Sequence, residues 1–460
     1  MADERPVVVF LSHPQGRDSG DYSHRVSLPG QALTAHLRVV DIQTSHPDSV
    51  GVALKADLLI VTMVADRMVA SLISLRKQAG LPSAYEISDD FADFPPNLPA
   101  HAFYVQPQIQ ALIEGMAGDA DLLQYSSHGL LRKYAALNAR HVVFPNQLTE
   151  VPALPHRDRI APDHPVLGWS GSAGHLDDAR RLAQLLQAWW RHRGRSTQGG
   201  PSIRVMSSPL ICSVFEAAGC LVDHRPSGGF NDYLAFLDGI DIGFAVIGNT
   251  DFSAGRSDGK FLELASRGVV CLASEAGEYP IGMRHGETGL LFADAPGFIA
   301  SLDALFDSPA LRDHIRTAAH AWVRTERSHE RGALERLRHY LPLLPTRIGR
   351  GLTQTGGIGA DAVPSPGTGL MVMADATEAA FATASGLHNA GQLEAALSGY
   401  MQILEQRPDF YLPWQRCADI ARALGGEADA RHFEQTAIHR LALQVRMSLP
   451  AQTGSAGSSA

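Results

Sequence analysis

At 460 residues, 45% of them hydrophobic and 19% charged, the chain is too long for one ordinary core and has a globular composition, so two or three domains are expected. A formal net charge of −9 gives no basic field for nucleic acid or an anionic membrane surface. No apolar run reaches the ~20 residues needed to span a bilayer, and the start MADERPVVVFLSHP lacks the basic head and long apolar core of a signal peptide, which makes the cytoplasm the expected location.

Short apolar runs alternate with helix-length amphipathic stretches from residue 6 to about 345. The runs are VVVFL (7–11), LRVVD (37–41), DLLIVTMV (57–64), SAYEIS (83–88), HVVFP (141–145), VLGW (166–169), IRVM (203–206), DIGFAVI (241–247) and VVCLA (269–273). Runs this apolar predict strands covered on both faces, and strands alternating with helices such as 177–194 predict doubly wound α/β architecture. The proline-rich, aperiodic stretch 149–165 reads as a linker, dividing the strands into Rossmann-like lobes at 1–155 and 156–345. Cys212, Cys220, Cys271 and Cys417 have no metal-ligand spacing and read as buried free thiols.

Residues 346–376 are rich in Gly, Pro, Thr and Ala and predict a flexible linker. Residues 377–446 are purely helical in pattern, and 447–460 read as a disordered tail. Within the helical part, Gly391, Ala396, Tyr400, Leu404 and Pro408 match the small, aromatic, aliphatic and proline positions of a tetratricopeptide repeat. Trp414, Gly425, Ala430 and Ala437 fall into register one period later; a plain helical hairpin is the alternative. A protein partner or self-association through 377–446 is the corresponding expectation.

The most informative stretch is 241–291, DIGFAVIGNTDFSAGRSDGKFLELASRGVVCLASEAGEYPIGMRHGETGLL. Its Asp241–Gly243, Arg256–Ser257, Lys260, Leu262–Glu263, Gly268 and Gly286–Leu291 resemble, in order and spacing, the donor half of the family 4 glycosyltransferases. That resemblance implies the GT-B fold: two Rossmann-like lobes facing a cleft, here followed by a small all-α tetratricopeptide-like segment. It also implies a nucleotide-sugar donor and no bound metal or other cofactor. Glu263 would accept hydrogen bonds from the ribose hydroxyls. Arg256 and Lys260 would face the diphosphate, whose charge grows in the transition state, with Ser257 beside them. Without the flanking pattern, Lys260 and Glu263 would read as a helical ion pair three residues apart.

The chain departs from the family at Gly255, where many members carry a second glutamate that touches the donor sugar; Asp251 and Asp258 are candidates to replace it. In VLGWSGSAGHLDD (166–178), Gly171, Ser172 and Gly174 form a small-residue turn after a strand, suited to close approach of a diphosphate. The first lobe resembles the family at 13–33, where Gly16, Gly20, Tyr22 and Arg25 are acceptor-side candidates. It does so again at AYEISDDF (84–91), where Asp89 contacts substrate and Asp90 is a catalytic candidate, and at 124–148, which ends in Pro145 and Asn146. A paired aspartate after a strand is otherwise a helix cap, and His128 reads as structural. Glycosyl transfer with retention, to an acceptor glycan, lipid-linked sugar or protein, is the function this implies. A non-catalytic scaffold on the same fold and a nucleotide-sugar epimerase are the alternatives.

Overall fold

The apolar runs become strands whose two faces are both shielded from water; every residue of Leu58–Thr62 is buried, as is every residue of Val270–Ser274. In the computed structural model, which describes residues 5–13, 17, 20–98, 100–148, 151–154, 165–194, 200–344 and 369–448, they form two all-parallel sheets. The first contains β1 (Val7–Ser12), β2 (Arg38–Gln43), β3 (Leu58–Thr62), β4 (Ser83–Ile87), β5 (Leu122–Tyr125) and β6 (His141–Val143). The second contains β7 (Leu167–Ser170), β8 (Ser202–Met206), β9 (Leu221–Arg225), β10 (Ile242–Ala245), β11 (Val270–Ser274) and β12 (Leu290–Phe292). A thirteenth strand, β13 (Met371–Val372), returns from the far end of the chain and pairs with β2.

The sheet orders are β13-β2-β1-β3-β4-β5-β6 and β12-β11-β10-β7-β8-β9. Each reverses direction once, between β1 and β3 in the first and between β7 and β10 in the second. Crevices open at such switch points, outside the carboxyl ends of the strands. The loops and helical turns that leave β1, β4, β7 and β10 at those ends carry the expected site residues among the described residues. The fold is thus two Rossmann-like lobes followed by an all-helical segment.

The chain crosses back after the second lobe. Helix His329–Tyr340 packs Ala333, Leu337 and Tyr340 into the cluster that holds Val8, Phe10, Leu58 and Ile60 of the first lobe. Buried Tyr340 donates to Gln124 Oε1 at 2.8 Å.

The C-terminal part differs from the expected layout. The linker expected at 346–376 lies outside the described residues as far as 368, but Met371–Val372 is an edge strand, fixed further by Met373 N–H to Asp41 O at 2.8 Å. Two helical hairpins follow, Ala376–Asn389 with Leu393–Gln406 and Tyr411–Ala423 with Glu427–Ser448. Gly391 and Gly425, 34 residues apart, each follow the first helix of a hairpin at φ 74° and 82°, a conformation that favours glycine. Phe381, Tyr400, Phe410 and Tyr411 join one apolar cluster with Val9, Val61 and Ile42 of the first lobe. Gln444 Nε2 donates to Pro47 O at 3.2 Å. These helices therefore complete the first lobe instead of standing apart from it. Of the expected tail at 447–460, Met447 and Ser448 end the last helix and the rest lies outside the described residues.

Candidate active site

Three loops of the second lobe build one face of the cleft. Strand β7 ends at Ser170, and Gly171 follows because a Cβ there would lie 2.6 Å from the Trp169 ring. Its carbonyl accepts a hydrogen bond from Ser207 Oγ at 2.6 Å, and Ser172 O accepts one from His175 N–H at 2.9 Å. After β10, helix Gly259–Ser266 places Lys260 and Glu263 on one side, a turn apart. Lys260 Nζ donates to Ser170 O at 2.6 Å and Ser170 Oγ at 3.2 Å, near the rings of Trp169 and Tyr233. Burial, opposed by the charge of Glu263, holds its ammonium below the usual lysine range.

Arg256 lies over the Phe252 ring and donates from one nitrogen to His175 Nδ1 at 2.9 Å and to Asp178 Oδ2 at 3.0 Å. The same His175 Nδ1 lies 3.0 Å from Asp178 Oδ2, and burial, opposed by Asp178, lowers the His175 pKa. Ser257 Oγ accepts from Asn146 Nδ2 of the first lobe at 3.2 Å.

Both carboxylate oxygens of Glu263 are engaged. Tyr233 O–H donates to Oε2 at 2.8 Å, and His24 Nε2 of the first lobe lies 3.2 Å from Oε1. Burial works to raise the Glu263 pKa, but the hydrogen bond and charge of His24, with Lys260 and Tyr233, leave it below the ordinary value.

The first-lobe candidates separate into two groups. Gly16 lies outside the described residues. Tyr22 turns towards β2 and donates to Asp41 Oδ2 at 2.6 Å. Arg25 is buried within the lobe: Nε and one terminal nitrogen bridge Glu86 at 2.6 and 2.9 Å, and the other donates to Phe144 O at 2.8 Å and Asn146 Oδ1 at 2.9 Å. Neither side chain joins the Lys260–Glu263 face. Asp90, also buried, accepts from Lys133 Nζ at 2.8 and 2.6 Å, from Tyr134 O–H and from Ala92 N–H at 3.2 Å. Its neighbour Asp89 has no such partners: burial and the nearby charge of Asp21 push its pKa up to about 7, against the pull of Arg256.

The lobes meet directly where the family glutamate is missing. A Cβ on Gly255 would lie 2.9 Å from Leu130 Cδ2, and one on Gly129 would lie 1.8 Å from Ala254 O. Ser127 Oγ donates to Gly255 O at 2.7 Å, and Glu278 accepts from both the His128 N–H, at 3.0 Å, and its ring. Of the two candidate replacements, Asp258 is buried in an ion pair with Arg327 at 2.5 Å. Asp251 lines a cavity of about 360 Å³ at this seam with Asp90, Asp93, Arg132 and Lys133. Among the described residues no group of three or more His, Cys, Asp or Glu could hold a metal ion.

The structure thus brings Gly171, Ser172, Arg256, Lys260, Glu263 and Asp89 to one cleft. It adds His24, Tyr233, His175 and Asp21, which sequence reasoning passed over. His24 stood inside the flagged stretch 13–33, but one histidine among twenty carries no signal alone. Tyr233 had no signal, because its partner is 30 residues away in sequence.

No family model matches the chain, and no curated protein matches it. Solved structures do. Sucrose-phosphate synthase from Thermosynechococcus elongatus superposes with a TM-score of 0.54 at 14% identity, over 74% of this chain and 99% of that one. A glycosyltransferase from Rickettsia africae gives 0.52 at 11%, over 75% and 100%. The Anabaena protein HepE in complex with UDP gives 0.51 at 12%, over 72% and 99%. At such identities the likeness is one of fold, the two-lobed GT-B arrangement. No helix among the described residues is long and apolar enough to cross a membrane.

Proposed function

We propose that the chain transfers a sugar from a nucleotide-sugar donor to an acceptor, with retention of configuration and without a metal. The observation that carries this reading is the pairing of Lys260 with Glu263, a turn apart beside the β7–β10 switch point. Glu263 has the chemistry to accept two ribose hydroxyls, replacing His24 and Tyr233. The bond from the sugar C1 to the diphosphate oxygen breaks as the acceptor oxygen bonds to C1 on the same face, which keeps the configuration; the diphosphate gathers charge and takes up the proton of the acceptor hydroxyl. Lys260 and Arg256 offset that charge from a largely dry face, where a fixed cation acts most strongly. HepE, solved with UDP and with UDP-glucose, makes a uridine nucleotide the first to try.

In this reading Asp89 and the 20–21 segment lie on the acceptor side, and Tyr22, Arg25 and Asp90 maintain the lobe. The acceptor is a glycan, a lipid-linked sugar or a protein. The two C-terminal hairpins keep tetratricopeptide spacing, and their outward faces serve a protein partner or a second copy of the chain; the enzyme acts in the cytoplasm. Gly255, which otherwise favours a non-catalytic scaffold, is accounted for by the contact between the lobes.

The test is a panel of nucleotide sugars, with release of free nucleotide measured for the natural chain and for Lys260→Ala. One donor should be turned over, with activity insensitive to a chelator. Lys260→Ala should lower it by about 10²–10³-fold, the scale for a lost stabiliser of transition-state charge, at unchanged folding. Turnover that survives Lys260→Ala unchanged, or that needs a divalent ion, contradicts the mechanism.

A further inference from the structure

His24 holds the carboxylate that the donor is expected to use, from the opposite lobe. The bond from its Nε2 to Glu263 Oε1, at 3.2 Å, joins residues 239 apart in sequence. Three features of His24 set it apart from an ordinary packing residue. It lies in a π-helical turn, Ser23–Ser27, a rare widened turn that is frequent at functional sites. It is 8% exposed, so water does little to solvate its ring. And its other nitrogen, Nδ1, is buried with no hydrogen-bond partner.

The last point fixes the sense of the contact. Glu263 only accepts, so Nε2 carries a proton, and Nδ1 is left buried without a partner. A buried polar atom without a partner opposes the state that contains it. The contact between the lobes is therefore held against a built-in cost, and a ligand that supplies hydroxyls to Glu263 can displace it. Asp21 lies two residues before this turn, so moving His24 alters the first-lobe side of the cleft.

We propose that His24 is a latch on the donor site, released when ribose hydroxyls take its place on Glu263. This rests on the nucleotide-sugar reading above. His24 here is a positioning residue: it makes no bond to the reacting atoms, and it couples occupancy of one lobe to the shape of the other.

The test compares UDP binding by calorimetry for the natural chain, His24→Ala and His24→Leu; the second fills the space that the first empties and guards against misfolding. Both variants should bind roughly tenfold more tightly, the equivalent of one net hydrogen bond that no longer competes. Affinity unchanged or weakened in a folded variant overturns the latch while leaving the donor reading intact. Failure of the natural chain to bind any nucleotide of the panel overturns the donor reading and the latch with it.

Discussion

The two lobes handle buried charge in opposite ways. In the first, Arg25 makes four hydrogen bonds to Glu86, Phe144 and Asn146, and Gln124 adds a fifth bond to Glu86 at 2.6 Å. All of these partners belong to the same lobe. In the second, Lys260 rests on a backbone carbonyl and a serine hydroxyl, and Glu263 is held partly by a residue of the other lobe. The first arrangement is complete and gains nothing from a ligand; the second has partners that a ligand can replace. Burial and charge alone do not distinguish structural from functional clusters. Whether the partners are permanent does.

The sharpest way to break this contrast is Arg25→Ala. It leaves Glu86, which has no exposed surface, without its cation. Removing one partner of a buried pair costs about 3–5 kcal/mol, so the denaturant midpoint should fall steeply at an unchanged m-value. A stable Arg25→Ala protein that loses only acceptor binding would move Arg25 into the site and dissolve the contrast.

The smallest effect concerns Asp89. Its pKa in the folded state, pushed up to about 7, lies above that of an unfolded aspartate, so the folded state holds the proton more tightly. Stability from this residue is present near pH 4 and lost as pH rises towards 7. Asp89→Asn removes that dependence. Melted at pH 4.5 and pH 8, the variant should match the natural chain at the lower pH and exceed it by about 1 kcal/mol at the higher, an allowance made for solvent in the cleft. Equal differences at both values would show that Asp89 is as well satisfied as Asp90.

Those two adjacent aspartates also show how far the sequence could be read. Both stood in one motif, and only the fold reveals that Lys133 and Tyr134, more than 40 residues on, saturate Asp90 and leave Asp89 alone. Strands β1 to β4, β6 to β8, β10 and β11 were legible as apolar runs, all but the edge strand β6 largely buried, whereas β5, LLQY, was not read although every residue is buried. β9 reads LVDHR and is an edge strand with exposed polar residues, and β12 is three residues long, so neither produces such a run. β13 is hidden because two residues in a Gly- and Pro-rich stretch carry no periodicity. Lys260 and Glu263 were legible since their spacing is local to one helix. His24 was not, since its meaning comes from a contact between lobes. Gly255 was legible only as a departure, and the nearness of Leu130 supplies its reason.

The central claim is that the Lys260–Glu263 face grips a nucleotide. Calorimetric titration of UDP into the natural chain and into Glu263→Ala tests it most directly. Loss of hydrogen bonds to a charged group predicts affinity weaker by about 1.5–3 kcal/mol, roughly ten- to 150-fold, in a protein that remains folded. Equal affinity for the two proteins would contradict the account.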